Sequence, residues 1–270
     1  AQGWDTRIEV AGRTADRLTT ATDASGELWL VDAAWPAMVA DERARQSRPD
    51  LLGNPSEPLA RSPLTLVVWT DRADALRSSC GELGWACIIE TAGRDWPVVG
   101  GAASWGRVVP GHGPADTTAG LVTLSALAGE LLGTTEFASN DFGAPGFRSE
   151  LSVVERAVPD FTPSSGTPLE HMLVFGPASY SFATEVEAVA RSVVEGSRDA
   201  GRLEISVPDQ RAVVDVVVVS TNGAAVSGSV VDELTAVLVG QGWQDPDESG
   251  NGRPAPGVAA ALRSLWPELT

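Results

Sequence analysis

The segment Trp105–Leu121 has the strongest chemical potential in the chain. A glycine- and proline-rich stretch, Pro110-Gly111-His112-Gly113-Pro114, runs into Ala115-Asp116-Thr117-Thr118. Apolar residues at helical spacing follow: Leu121, Val122, Leu124, Leu127 and Leu131. That order reads as a strand, a loop and a helix with hydroxyls in its first turn. A helix start leaves backbone N–H groups without partners and carries the positive end of the helix dipole, so it can hold a small polar or anionic ligand. The same residues have a plainer use. Asp116 or Thr117 can cap its own helix, and a carboxylate there competes with an anion.

Asp32, Thr70, Thr117 and Thr118 each follow the end of an apolar strand or open a helix, and they are the candidate polar contacts. Nine tryptophans stand against one tyrosine. Trp35, Trp69, Trp96 and Trp105 fall at strand ends or in loops, where an aromatic face can stack on a sugar or a flat solute. Filling the core is the alternative for each, and Trp35 and Trp69 are the better cleft candidates. Arg107 is a counter-charge for an anionic ligand or a surface partner for one of the many acids. The two histidines are His112, in the glycine-rich loop, and His171, in an apolar stretch; solvated and structural roles compete with any ligand contact.

Catalytic patterns are missing from the sequence. It has no Gly-x-Ser-x-Gly elbow and no dinucleotide fingerprint, and a phosphate-binding loop lysine cannot exist because the chain has no lysine. No catalytic residue and no cofactor is therefore assigned, and the expectation is a protein that is not an enzyme. Cys80 and Cys87 have neither a second pair nor clustered histidines beside them, so a metal site is not expected. A disulfide in an exported chain and two buried thiols both remain open.

Length and composition bound the frame that must hold these residues. At 270 residues and 43% hydrophobic content, the chain can form one large domain or two lobes. Its net charge of −17 argues against nucleic acid and against an anionic membrane surface. No run is long and apolar enough to span a bilayer, and no signal peptide is visible.

Strands are expected at 8–10, 27–31, 64–69, 169–175 (continuing over 179–182), 203–207 and 213–219. Helices are expected at 13–22, from Ala33 or Trp35 to about Arg45, and at 71–79, 81–92, 117–132, 150–158, 185–199, 230–239 and 258–265. Ile88-Ile89 is ambiguous between helix and strand. Polar and proline-rich loops are expected at 47–58, 93–106, 134–148, 159–168 and 242–257. Alternating strands and helices imply an α/β protein with a largely parallel sheet.

The order of these features resembles the type II periplasmic-binding-protein fold of bacterial extracellular solute-binding proteins. Glu27-Leu28-Trp29-Leu30-Val31-Asp32-Ala33-Ala34-Trp35 is similar to a strand-to-helix segment of the first lobe. Leu66-Val67-Val68-Trp69-Thr70 is similar to the strand that crosses into the second lobe, and Trp105-Gly106 through Asp116-Thr117-Thr118-Ala119-Gly120-Leu121 to the family's Thr/Ser-rich helix start. Gly242-Trp243-Gln244-Asp245-Pro246-Asp247 with Pro256–Trp266 is similar to the end of solute-binding domains from actinobacterial surface proteins, some of which continue into a von Willebrand factor type A domain. Family members usually open with a strand and helix that supply a ligand-contacting Ser or Gly; here the chain is expected to begin at the second strand.

The resemblance implies a two-lobed α/β protein with mixed, mostly parallel sheets, flanking helices and a hinge. Lobe one would be 1–65 plus 176–270 and lobe two 66–175. A small polar solute would sit in the cleft, contacted by Asp32, Trp35, Trp69, Thr70, Thr117, Thr118 and Tyr180, with Ser181 nearby. The implied partners are that solute and a membrane permease or an adjacent domain of the same polypeptide. The implied place is extracellular or at the cell envelope, anchored by a segment outside this chain. The competing reading is a ligand-free structural or interaction module that kept the fold.

Overall fold

The computed structural model describes residues 5–23, 26–159, 166–208, 212–246 and 255–270. Ten helices are described: α1 (Ala11–Thr20), α2 (Ala34–Arg45), α3 (Thr70–Cys80), α4 (Trp85–Thr91), α5 (Thr118–Leu132), α6 (Phe147–Ala157), α7 (Pro168–Phe175), α8 (Glu187–Glu195), α9 (Gly228–Gly240) and α10 (Pro256–Leu269). The described strands are β1 (Leu28–Asp32), β2 (Ala60–Trp69), β3 (Pro110–Gly111), β4 (Phe182–Val186), β5 (Leu203–Ser206) and β6 (Val213–Ser220).

The strands lie in the order β1-β6-β2-β4-β3, with β5 also paired to β2. The central strand is β2, and it serves two partner sets. Its first half, Ala60–Pro63, pairs with β6; its second half, Leu64–Trp69, pairs with β4 and β5. Ten residues, rich in β-branched and apolar types and buried almost throughout, make this possible. β6 is nearly all valine and is buried along its whole length, as a strand covered on both faces must be.

The expected strand direction needs correction. β1 with β6, β2 with β6, β2 with β4 and β2 with β5 are all antiparallel, and only β3 with β4 is parallel. A continuous apolar run shows burial on both faces but does not encode direction; here helices cover both faces of an antiparallel ladder.

Three element assignments also change. Residues 8–10 belong to no strand, and Ile8 is fully exposed. The apolar run expected as a strand at 169–175 is the helix α7. Thr167 caps it by accepting from the Glu170 amide, and the Glu170 carboxylate accepts from the Thr167 amide. That reciprocal box, with Pro168 at the first helical position, outweighs the β propensity of Leu173-Val174-Phe175. Glu185 and Val186, expected in a helix, extend β4 because they pair with Thr65 and Leu64 of β2. The ambiguous Ile88-Ile89 lies in α4. Parts of the expected loops at 159–168 and 242–257 fall outside the described residues.

The apolar core is divided by the sheet. A large cluster on one side runs from Leu18, Trp35 and Met38 through Leu121, Leu124 and Leu127 to Leu151, Leu262 and Leu265. A smaller one on the other side joins Val67, Trp69, Ala183, Leu169, Met172 and Tyr180. Side chains alternate along β2 and β4, so Leu66 and Phe182 enter the first cluster while Val67 and Ala183 enter the second. Among the described residues no helix is long and apolar enough to cross a membrane.

Candidate ligand-binding site

The loop before α5 is shaped by close contacts. Thr117 is the N-cap: its Oγ1 accepts from the Gly120 amide at 3.1 Å and donates to the Pro114 carbonyl at 2.9 Å. Gly120 sits so close to the loop that a Cβ there would lie 2.2 Å from the Pro114 oxygen and 2.3 Å from the Gly113 oxygen. The loop therefore folds back on the first turn of α5 only because residue 120 has no side chain. The capping role weighed for Thr117 is present. Thr118 is used differently, since its Oγ1 accepts from the Trp35 indole Nε1 at 3.1 Å.

Three other elements converge on this turn. From α1, the Gly12 amide donates to the Asp116 carbonyl at 2.8 Å, and a Cβ on Gly12 would lie 2.8 Å from the Asp116 carboxylate. From α2 comes Trp35, fully buried. From α10 comes Arg263, whose Nε donates to Asp116 Oδ1 at 2.8 Å and whose two terminal nitrogens donate to the Asp16 carboxylate of α1, each at 2.8 Å. Its guanidinium lies over the Trp35 ring, 5.6 Å from the centroid. Exposure is graded: the side chains of Arg263, Asp116 and Asp16 are 23%, 48% and 64% exposed. A solute would meet two carboxylates and a guanidinium first, with a helix start and an indole N–H behind them. Such a rim offers donors and acceptors in one place, which suits a polar solute with hydroxyl, amine or carboxylate groups.

His112 supports the loop from behind. Its Nδ1–H donates to the Gly113 carbonyl at 2.9 Å. Its Nε2 lies 3.2 Å from Glu155 Oε1 on α6, an ion-pair contact whose angle falls outside hydrogen-bond geometry. Glu155 Oε2 accepts from the Trp266 indole of α10 at 2.8 Å. Burial by itself drives the His112 pKa down, but the facing Glu155 charge and the Gly113 carbonyl outweigh it and leave the imidazole above its ordinary value. For Glu155 burial pushes upward, and the His112 charge with the Trp266 hydrogen bond carries it below the usual carboxylate range. His112 is thus buried and paired, neither solvated nor placed among the rim residues.

Of the sequence candidates, Trp35, Thr117 and Thr118 come together at this turn. Asp32 stands at the start of α2 with its carboxylate turned inward, accepting from the amides of Ala34 and Asp215 at 3.0 Å each. Trp69 and Tyr180 lie in the smaller core on the other side of the sheet, Trp69 with Arg202 stacked 5.1 Å from its ring centroid. Thr70 is exposed at the first position of α3. Ser181 accepts from the Val109 amide, and Arg107 pairs with Asp95 on the surface. Trp96 and Trp105 pack edge to face, with the buried Arg72 guanidinium 5.7 Å and 4.4 Å from their ring centroids. Arg263, Asp16 and Gly12 went unnoticed in the sequence. The only local hint was the spacing of Gly12 and Asp16 on one helix, and nothing in the sequence ties α10 to α1.

Cys80 and Cys87 form a disulfide with a Cα–Cα distance of 5.5 Å. It borders a separate open pocket of about 600 Å³, lined among others by Arg77, Glu82, Trp85, Glu90 and Glu130. None of the candidate contacts reaches that pocket. Among the described residues, no group of three His, Cys, Asp or Glu side chains is placed to hold a metal ion.

No protein-family model and no curated protein matches the sequence. The structure is similar to the 1.85 Å crystal structure of an ABC transporter from Clostridium perfringens ATCC 13124, with a TM-score of 0.59 at 7% identity, over 97% of this chain and 88% of that one. An ABC-transporter solute-binding protein from Agrobacterium vitis S4, solved with bound D-mannitol, gives a TM-score of 0.43 at 16% identity over 92% of this chain and 60% of that one. At these identities the likeness is one of fold: the chain is a mixed α/β protein with flanking helices, similar in fold to the Clostridium perfringens ABC-transporter structure.

Proposed function

We propose that the chain is an extracellular solute-binding domain that holds a small polar solute at the first turn of α5, between the α1–α2 side and the loop 110–118. The supporting observation is the polar cluster at that turn. Groups from α1, α2, α5 and α10 pair there with one another through bonds a solute can replace: Trp35 to Thr118, Gly12 to Asp116, and Arg263 to Asp116 and Asp16. On this reading lobe one is 1–65 plus 176–270 and lobe two is 66–175. The chain crosses between them near Leu66–Trp69 and near Val174–Tyr180, and relative movement there is a hinge motion. Trp35, Thr117 and Thr118 contact the solute, Asp32 positions the start of α2, and Trp69, Thr70 and Tyr180 are secondary candidates. A permease or a neighbouring domain would receive the loaded form.

A thermal-shift screen with sugars, amino acids, oxyanions and metal ions tests this, because a ligand that binds the native state raises the melting temperature. A stabilising compound is expected, with its shift lost in Thr118→Ala. Binding unaffected by Thr118→Ala would remove the site. The second reading, an interaction module without a ligand, is favoured by one observation: the protein's own side chains already fill the turn. A screen with no stabilising compound supports it.

A further inference from the structure

Arg263 stands out because it joins parts of the chain that nothing else at the rim joins. It rises from α10, whose Val258, Ala259, Leu262, Leu265 and Leu269 are buried against the large core, so its backbone is anchored. Its guanidinium grips Asp16 of α1 with two nitrogens and Asp116 of the site loop with a third, at 2.8 Å each. A terminal nitrogen also reaches the Gly12 carbonyl at 3.4 Å. Asp116 in turn accepts from the Gly12 amide through its own carbonyl. One cation thus closes a ring through α10, α1 and the loop before α5, directly over Trp35.

We propose that Arg263 is an electrostatic latch that holds the site shut until a solute displaces it from Asp116. Both carboxylates are partly open to water, and ion pairs of such exposure are weak and screened by salt. The latch can therefore open while α10 stays packed. Opening releases the Gly12-to-Asp116 backbone bond and widens access to Thr118, while Trp35 stays packed in the large core. A solute pays this opening cost, so apparent affinity falls by the fraction of molecules in the latched form. The functional meaning rests on the solute-binding reading; the latch itself does not.

The test is residue-resolved amide hydrogen exchange on the full chain without any solute, so it stands apart from the compound screen. In Arg263→Gln the Gly12 amide is expected to exchange at least tenfold faster, while the interior amides of α10 and β2 keep their rates. Asp16→Asn should give a smaller rise at the same amide. Raising NaCl from 0.1 M to 1 M, about 10 Å to 3 Å of Debye length, should speed Gly12 exchange in the native sequence and leave Arg263→Gln unchanged. An unchanged Gly12 rate in both variants overturns the proposal. So does a rise shared equally by α10 and β2, which marks general destabilisation, or a salt response that persists without Arg263.

Discussion

Glu155 and Glu185 are both shut away from water, on opposite sides of the same sheet, and they respond to burial in opposite ways. Glu155 belongs to the side built by α2, α5, α6 and α10, where His112 and Trp266 face it. Its pKa is lowered although burial pushes it up. Glu185 lies on the side of α7 and α8, where burial raises its pKa to about 7, the Val186 amide pulls it partly back and Glu170 adds a further push upward. Burial is common to both, so the partner decides. The side that carries the candidate site has paired its buried charge; the other side keeps a carboxyl that ionises at the protein's expense.

The pH dependences follow with opposite sign. His112 has a raised folded pKa, so its contribution is full below about 6.5 and fades as pH rises through the folded value. Glu155 has a lowered one, so its contribution is full above about 4.5 and fades as pH falls through the folded value. The pair therefore stabilises the fold across the interval between. Glu185, raised from 4.5 to about 7, favours the fold below 4.5, and that favour is lost as pH climbs toward 7.

The largest expected effect comes from breaking the paired side. Glu155→Ala leaves a buried imidazolium without its counter-charge and the Trp266 N–H without its acceptor, and should cost about 3–5 kcal/mol in denaturant unfolding near pH 6. A loss below about 1 kcal/mol would mean that His112 is neutral there and that the two sides do not differ as described. Next, Glu185→Gln should stabilise the protein by roughly 3 kcal/mol at pH 8 and by almost nothing at pH 4. A gain independent of pH would show that packing, not ionisation, is the burden on that side. The smallest effect concerns hydroxyls rather than charges. Thr117→Ala removes a capping partner and should lower stability by about 1 kcal/mol, while Thr70→Ala, at an exposed helix start, should stay within about 0.5 kcal/mol. Equal losses would show that the helix start alone, and not its partner, sets the cost.

Much of the fold was legible because long periodic segments advertise themselves. α5, α2 and β6 lie within a residue or two of their expected limits, and the disulfide was one of two open readings for Cys80 and Cys87. Strand direction was illegible: valine runs such as 213–219 look alike in parallel and antiparallel sheets when both faces are covered. α7 was misread although Thr167-Pro168-Leu169-Glu170 spells a helix start, because the apolar run after it drew more weight than its cap. At the candidate site the helix start, Trp35, Thr117 and Thr118 could be seen locally. Arg263 could not, since 147 residues separate it from Asp116 and only tertiary packing introduces them. The buried state of His112 was hidden for the same reason, its partner lying on α6.

The split allegiance of β2 also governs when the protein can finish itself. Ala60 pairs with Val216, Thr65 with Glu185, and Leu28 with Ser220. Every sheet neighbour of the first sixty-nine residues thus emerges from the ribosome more than a hundred residues later. Until then these strands have no ladder to join, and the chain behind them stays pliable. Pairing at such range makes folding slow, and the first strands stay without their ladders until the last third of the chain has been made.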